Sequence, residues 1–215
     1  MSESLTDIVA KRGEQLKALR KQGDHAALLA AAREGADEVE RRIVDANGNE
    51  EQREPLMAVQ RWTYNAAADC WPGWSIPSQP SDPRLLMVAR ELAQRSEALV
   101  ERLGLGRQRE GTGTWLIGAF DLALGRYKDA SHHFAVAREH YLAANAPLSA
   151  LLAEGYVAIV AQIDKGGVSV DGSALDQVCD RISAGDFKDG GAMIAQLRTA
   201  LAAFTQSPAA RPQGN

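Results

Sequence analysis

Along most of this chain, apolar side chains recur at three- and four-residue spacing, the period of one helix face, and the gaps are marked by glycine, proline or asparagine. Leu5, Ile8, Val9, Leu16 and Leu19 make a first stripe from Leu5 to Gln22, with Lys11, Arg12, Lys17, Arg20 and Lys21 on a solvated basic face. Gly23-Asp24 interrupts it, and Leu28, Leu29, Ala32, Ala36, Val39 and Ile43 resume it over Ala26 to Ile43, which predicts a helical hairpin with a very short turn. Asp45 to Glu50 ends the second helix. It starts like a calcium loop, but Glu50 stands where Gly is needed and Leu56 where the closing Glu is needed, so it reads as a turn.

Pro55 suits the first turn of a third helix through Met57, Val59, Trp62, Ala66 and Cys70. Trp71 to Pro83 reads as a long proline-rich loop, a length uncommon without a role. Asp82 and Pro83 are an N-cap and N1 pair opening a fourth helix that ends at Gly104 or Gly106. Gly104 to Gly113 lacks the residues of a dinucleotide or Walker A loop, since Arg109 and Thr112 occupy the required Gly and Lys positions, and it reads as a helix C-cap and linker. Trp115 to Leu124, Tyr127 to Ala144 and Pro147 to Ile163 are the next three helices. Val168 to Val170 is a short stretch with strand-like alternation. Ser173 caps an eighth helix, and Phe187 to Phe204 forms a ninth, weakened early by Gly190-Gly191. The expectation is an all-α fold of about nine helices in one domain over residues 1–205, with a flexible C-terminal tail over 206–215.

Composition narrows the function classes. The 215 residues are 45% hydrophobic but only 6% aromatic, so Ala and Leu carry the core, as helices favour. With 24 Lys plus Arg against 28 Asp plus Glu, no general excess of positive charge exists for a polyanion, and nucleic acid is not expected as a partner. The most apolar stretch, Pro147 to Ile163, is broken by Ser149, Glu154 and Gln162 and is too short to span a bilayer, so no membrane association is expected. Acidic residues near Met1 and the two isolated cysteines, Cys70 and Cys179, point to a cytoplasmic chain with free thiols.

Trp115-Leu-Ile-Gly118, then Gly125-Arg-Tyr127-Lys-Asp-Ala130, Phe134 and Ala137, is the sharpest motif. It resembles the tetratricopeptide repeat, a helix-turn-helix unit of about 34 residues, over roughly residues 112–145. Fainter copies of the turn half stand at Gly23 to Gly35 and at Gly185 to Leu197, and Trp62 to Trp71 can be laid over Trp115 to Leu124. The tryptophan stands three residues before Gly118 where the family usually has four, and the closing proline is delayed to Pro147. The resemblance implies antiparallel hairpins in a right-handed α-α solenoid, with Gly118 and Ala130 at close contacts and Tyr127 and Phe134 filling space. It also implies a concave groove for an extended peptide or partner helix, lined near Trp62, Asp69, Trp115, Ala119 and Tyr156.

Two functional expectations follow. The first is a non-enzymatic interaction or scaffolding module binding a protein or peptide through that groove, with a homodimer left open. The alternative is a small-molecule sensor in which the loop at Trp71 and Trp74 closes over a ligand, since Trp62, Tyr64, Trp71 and Trp74 near Asp69 could cage a cation or stack a sugar. A loop pinned by two tryptophans has the same pattern. No cofactor or metal is expected: His133 and His140 are seven apart on one helix and Ala137 occupies the position four on from His133. Glu154 in an apolar helix is the one candidate acid or base of an enzyme, with a structural glutamate the competing reading.

Overall fold

A computed structural model describes residues 4–44, 52–74, 82–164 and 173–206. Among these, the regular elements are helices: α1 (Leu5–Gln22), α2 (His25–Val44), α3 (Arg53–Asp69), α4 (Pro83–Arg102), α5 (Arg107–Ala123), α6 (Tyr127–Ala143), α7 (Pro147–Asp164), α8 (Ala174–Ala184) and α9 (Gly190–Gln206), with one 3-10 turn at Pro72–Trp74. The expected turn at Asp45–Glu50, the alternation at Val168–Val170, the middle of the proline-rich loop and the tail beyond Gln206 lie outside the described residues.

Local chemistry sets the helix ends. Ser4, Asp82 and Ser173 each accept a hydrogen bond from a backbone N–H of the first turn they precede, and Pro83 stands at the start of α4, where its missing N–H is harmless. Three successive helices end in the same left-handed turn. Gly125 (φ 72°) donates to Leu122 and Arg126 to Asp121, Asn145 (φ 54°) donates to Leu142 and Ala146 to Tyr141, and Gly104 (φ 60°) donates to Glu101 and Leu105 to Val100. Each is the six-to-one and five-to-two pairing that satisfies the last carbonyls of a helix and reverses the chain within a few residues.

Successive helices pack on one another from α1 to α8. Side-chain contacts give their directions. Gly13 and Arg20 of α1 face Trp62 and Asp69 of α3, so these two helices run parallel. Gly111 and Gly118 of α5 meet Tyr141 and then Phe134 of α6, so that pair is antiparallel. A small core around Ile8, Val39, Val59 and Leu99 joins one end of the first four helices, a larger one takes in residues from Leu16 of α1 to Ala200 of α9, and Trp62 packs against both.

The expected linker at Gly104–Gly113 is a helix from Arg107 onward. Its sequence lacks a one-sided stripe because α5 is buried nearly all round from Gly111 to Leu122, and such a helix carries no amphipathic signature. Its glycines serve close approach. A Cβ on Gly111 would lie 3.0 Å from the Tyr141 ring and 3.2 Å from the Ala137 carbonyl oxygen, and one on Gly118 3.1 Å from the His133 Cβ. The ninth helix likewise begins at Gly190, after the turn at Phe187, so Gly190-Gly191 start it and do not weaken its interior.

α9 returns across the array. Leu197 drops onto Gly155 of α7, where a Cβ would lie 2.6 Å from its methyl, and the Gln196 amide donates to the Tyr156 hydroxyl at 3.2 Å. At its far end Phe204 lies 6.2 Å from Trp71, so α9 bridges α7 and the turn that follows α3.

Candidate functional site

The tryptophan-rich region is a packed cluster. Trp71, Trp115 and Tyr156 meet pairwise edge to face at 5.2 to 5.7 Å, and Phe134 stacks on Tyr156 at 5.0 Å. Their relative exposures are 2%, 5% and 0% for Trp71, Trp115 and Tyr156, which leaves no ring face among them open. Ala119 is also fully buried. Trp71 Nε1 donates to the Ala119 carbonyl at 3.1 Å and Trp74 Nε1 to the Ala68 carbonyl at 2.6 Å, so the turn after α3 is pinned at both indoles. Trp74 keeps 48% of its surface exposed and tilts against Trp115 at 6.1 Å. One donor in this cluster is unsatisfied: Trp115 Nε1 is buried and has no acceptor among the described residues. An unpaired buried N–H costs about 1 to 3 kcal/mol relative to a satisfied one.

Trp62 and Asp69 lie at the α1–α3 seam. Trp62 is half-buried between the two cores, and the Asp69 carboxylate accepts from Arg20 Nε. That carboxylate therefore has a resident counter-ion. Cys70 beside it is buried, and burial pushes its thiol up to about 12, leaving it unreactive at neutral pH.

An open site lies toward the N-terminus of α5. Gln60, Arg61, Tyr64 and Asn65 of α3, Ser96 and Val100 of α4, and Arg109, Thr112 and Gly113 of α5 line a cleft of about 210 Å³. Gly113 lets α5 sit against the Glu97 backbone of α4, which sets the cleft's width. Its inner polar groups are satisfied internally: Gln60 Nε2 donates to Ser96 Oγ at 3.0 Å, and the Tyr141 hydroxyl donates to Thr112 Oγ1 at 3.2 Å. Burial raises the Tyr64 phenol above its ordinary value, so it stays neutral in the cleft wall. Arg61, Asn65 and Arg109 are exposed at the mouth, and their side chains make no hydrogen bond or ion pair among the described residues.

Reading the sequence did not single out this cleft. Arg61 stands on a helix read for its apolar face, and Arg109 in a segment read as linker. The available signal was the polar i, i+4 pair Arg61 and Asn65 beside the aromatic Tyr64.

The densest charge cluster is elsewhere and is structural. Asp121 of α5 is fully buried and holds Arg90 of α4 through a fork, Nε to Oδ1 at 2.7 Å and Nη2 to Oδ2 at 3.2 Å. Arg126 lies 3.7 Å away, and His133 Nδ1 of α6 stands 3.1 Å from Oδ2, close enough for an ion pair but off-line for an aligned hydrogen bond. Burial works against the Asp121 charge, yet His133 and Arg90 outweigh it and hold the carboxyl below its ordinary value. The same carboxylate lifts the His133 imidazole above its ordinary value against the opposing pull of burial. His140 is taken up by Glu110 at 3.2 Å, and Glu154 sits between Arg138 and Arg181, at 3.4 and 2.5 Å. Each oxygen of the Glu154 carboxylate therefore accepts from a guanidinium of a neighbouring helix. No group of three His, Cys, Asp or Glu among the described residues is gathered closely enough to hold a metal, and no described helix is long and apolar enough to cross a membrane.

The fold and cleft thus define an all-α array of consecutively packed helices with a polar opening between α3, α4 and α5. Comparison of the chain with protein-family models, with curated proteins and with solved structures finds no match.

Proposed function

We propose that this chain is a non-enzymatic protein- or peptide-binding module, a divergent tetratricopeptide-like array whose partner enters the cleft between α3, α4 and α5. The observation that carries this reading is the contrast in satisfaction. Arg61, Asn65 and Arg109 stand open at the cleft, while α9 and the Trp71–Trp74 turn already occupy the neighbouring face over α7 and the end of α3. The parallel run of α1 and α3 and the antiparallel α5–α6 hairpin with Gly118 at its contact suit stacked hairpins. Buried free Cys70 and Cys179 accord with a reducing, cytoplasmic setting.

The test is a displayed peptide library selected on the full chain, with binders located by hydrogen exchange. Peptides that protect α3 and the first turns of α5, and that lose affinity in Asn65→Asp, support the reading. Peptides that protect only the α9 side, or a library that yields no binders, overturn it.

A second reading, a small-molecule sensor at the tryptophan cluster, has its own observation in Trp115 Nε1, without an acceptor among the described residues and beside the half-exposed Trp74. A ligand carbonyl or hydroxyl entering past Trp74 would supply the acceptor. Tryptophan emission measured against a metabolite panel checks this: a saturable shift abolished in Trp74→Ala supports it, and an unchanged spectrum with every ligand removes it.

A further inference from the structure

The helix seams of this chain share an electrostatic habit. Arg12 and Glu38 join α1 to α2, Arg20 and Asp69 join α1 to α3, and Arg95 joins α4 to Asp37 and Glu40 of α2. Arg90 and Asp121 join α4 to α5, while Glu154 of α7 takes Arg138 of α6 and Arg181 of α8. In each case an arginine reaching a neighbouring helix finds a carboxylate there. The α3–α5 cleft departs from this habit. Two arginines from different helices line it, no acidic residue does, and neither guanidinium has an ion pair among the described residues.

We propose that the α3–α5 cleft is an oxyanion site, taking a ligand that bears a carboxylate or a phosphate and so supplies the counter-charge the fold omits. This deepens the binding role proposed above and rests on the cleft being the binding face. The guanidinium fork matches the planar oxygens of a carboxylate and the edge of a phosphate, with two parallel N–H donors each. Asn65, also without a partner among the described residues, adds a neutral donor one helical turn from Arg61. The Tyr64 ring and Val100 give the cleft an apolar wall beside the two guanidiniums. The chain's formal net charge is −4, so attraction of an anion here is a property of this cleft and not of the whole surface. A volume of about 210 Å³ admits a small organic acid, a phosphate ester or a single acidic side chain of a peptide.

The test titrates the full chain with inorganic phosphate, citrate and an amidated penta-glutamate peptide by calorimetry at constant ionic strength. Saturable binding of at least one probe is expected. Arg61→Gln and Arg109→Gln should each weaken it about tenfold, as loss of one charge-assisted fork implies, whereas Arg33→Gln on α2 leaves it unchanged. Stronger binding of the peptide than of the free ions assigns the oxyanion to a partner's acidic segment, and the reverse order assigns it to a small molecule; either supports the site. Absence of heat with all three probes overturns the inference, as does binding that survives in the Arg61→Gln, Arg109→Gln double variant. Unfolding midpoints of the variants near that of the parent show that the fold is retained. Peptides selected from the library on the cleft that ignore both substitutions defeat the oxyanion site alone. Peptides that protect another face defeat the reading beneath it.

Discussion

Around Trp71, Trp115 and Tyr156 the rings fill one another's edges, α9 packs along one side and two of the three indole N–H groups donate to backbone carbonyls. At the cleft between α3, α4 and α5 the inner groups are paired, but the guanidiniums at the rim are not. Both regions draw on α3 and α5, yet one is closed by the chain's own residues and the other is left unfinished. The contrast shows why richness in aromatic residues is a poor guide to a binding surface. Large rings attract attention in a sequence because they are scarce, and for the same reason a fold with few of them uses them in its core.

The comparison can be broken by mutation. Trp115→Ala should have the largest effect on folding, about 4 kcal/mol lost, because it empties a space bounded by four rings that cannot all collapse inward. Urea unfolding measures it, and a loss below about 1 kcal/mol would mean that the cluster is looser than described. Asp121→Asn comes next, at about 3 kcal/mol, since it leaves Arg90 and His133 facing a neutral amide in a buried seam.

That cluster also fixes a pH window. His133 is held above its ordinary 6.5, so its contribution is complete below that pH and is lost as pH rises through the elevated value. Asp121 is held below its ordinary 3.8, so its contribution is present above that pH and is lost as pH falls through the depressed value. Stability from this pair is therefore greatest between those limits and declines on the alkaline side, and His133→Gln should flatten that decline in thermal unfolding followed from pH 5 to 9.

Gly155→Val is expected to cost about 2 kcal/mol, because its Cβ meets the fully buried Leu197 side chain at 2.6 Å and must displace it from the α7–α9 contact. Faster hydrogen exchange across α9, with α3 and α4 unchanged, is the matching signature. The smallest effect belongs to the cleft: Arg61→Gln and Arg109→Gln should each alter stability by less than about 0.5 kcal/mol, as neither breaks a contact. If either proves strongly destabilising, the arginines are structural and the contrast between the two regions fails.

Most helix ends were legible because their chemistry is local. Ser4, Asp82 and Ser173 announce the caps, and Gly125 with the Tyr127 to Ala137 pattern marks a reversal. Asn145 sits at the equivalent left-handed position one turn later, where a residue other than glycine hides the likeness. α5 was half concealed, since Gly111 and Gly113 resemble linker residues until Tyr141 and Glu97 are seen to need their missing side chains. The cleft was not legible for a different reason. Arg61 and Arg109 are 48 residues apart, and an arginine without a carboxylate is a fact about its neighbours in space, which no spacing along the chain records.

The most direct measurement is a nitrogen-15 spectrum of the full chain, resolving the arginine Nε–H and tryptophan indole N–H signals, during titration with citrate. The account predicts that the Arg61 and Arg109 signals move together and saturate while the indoles of Trp71, Trp74 and Trp115 stay in place. Movement of the indole signals with Arg61 and Arg109 stationary would contradict it.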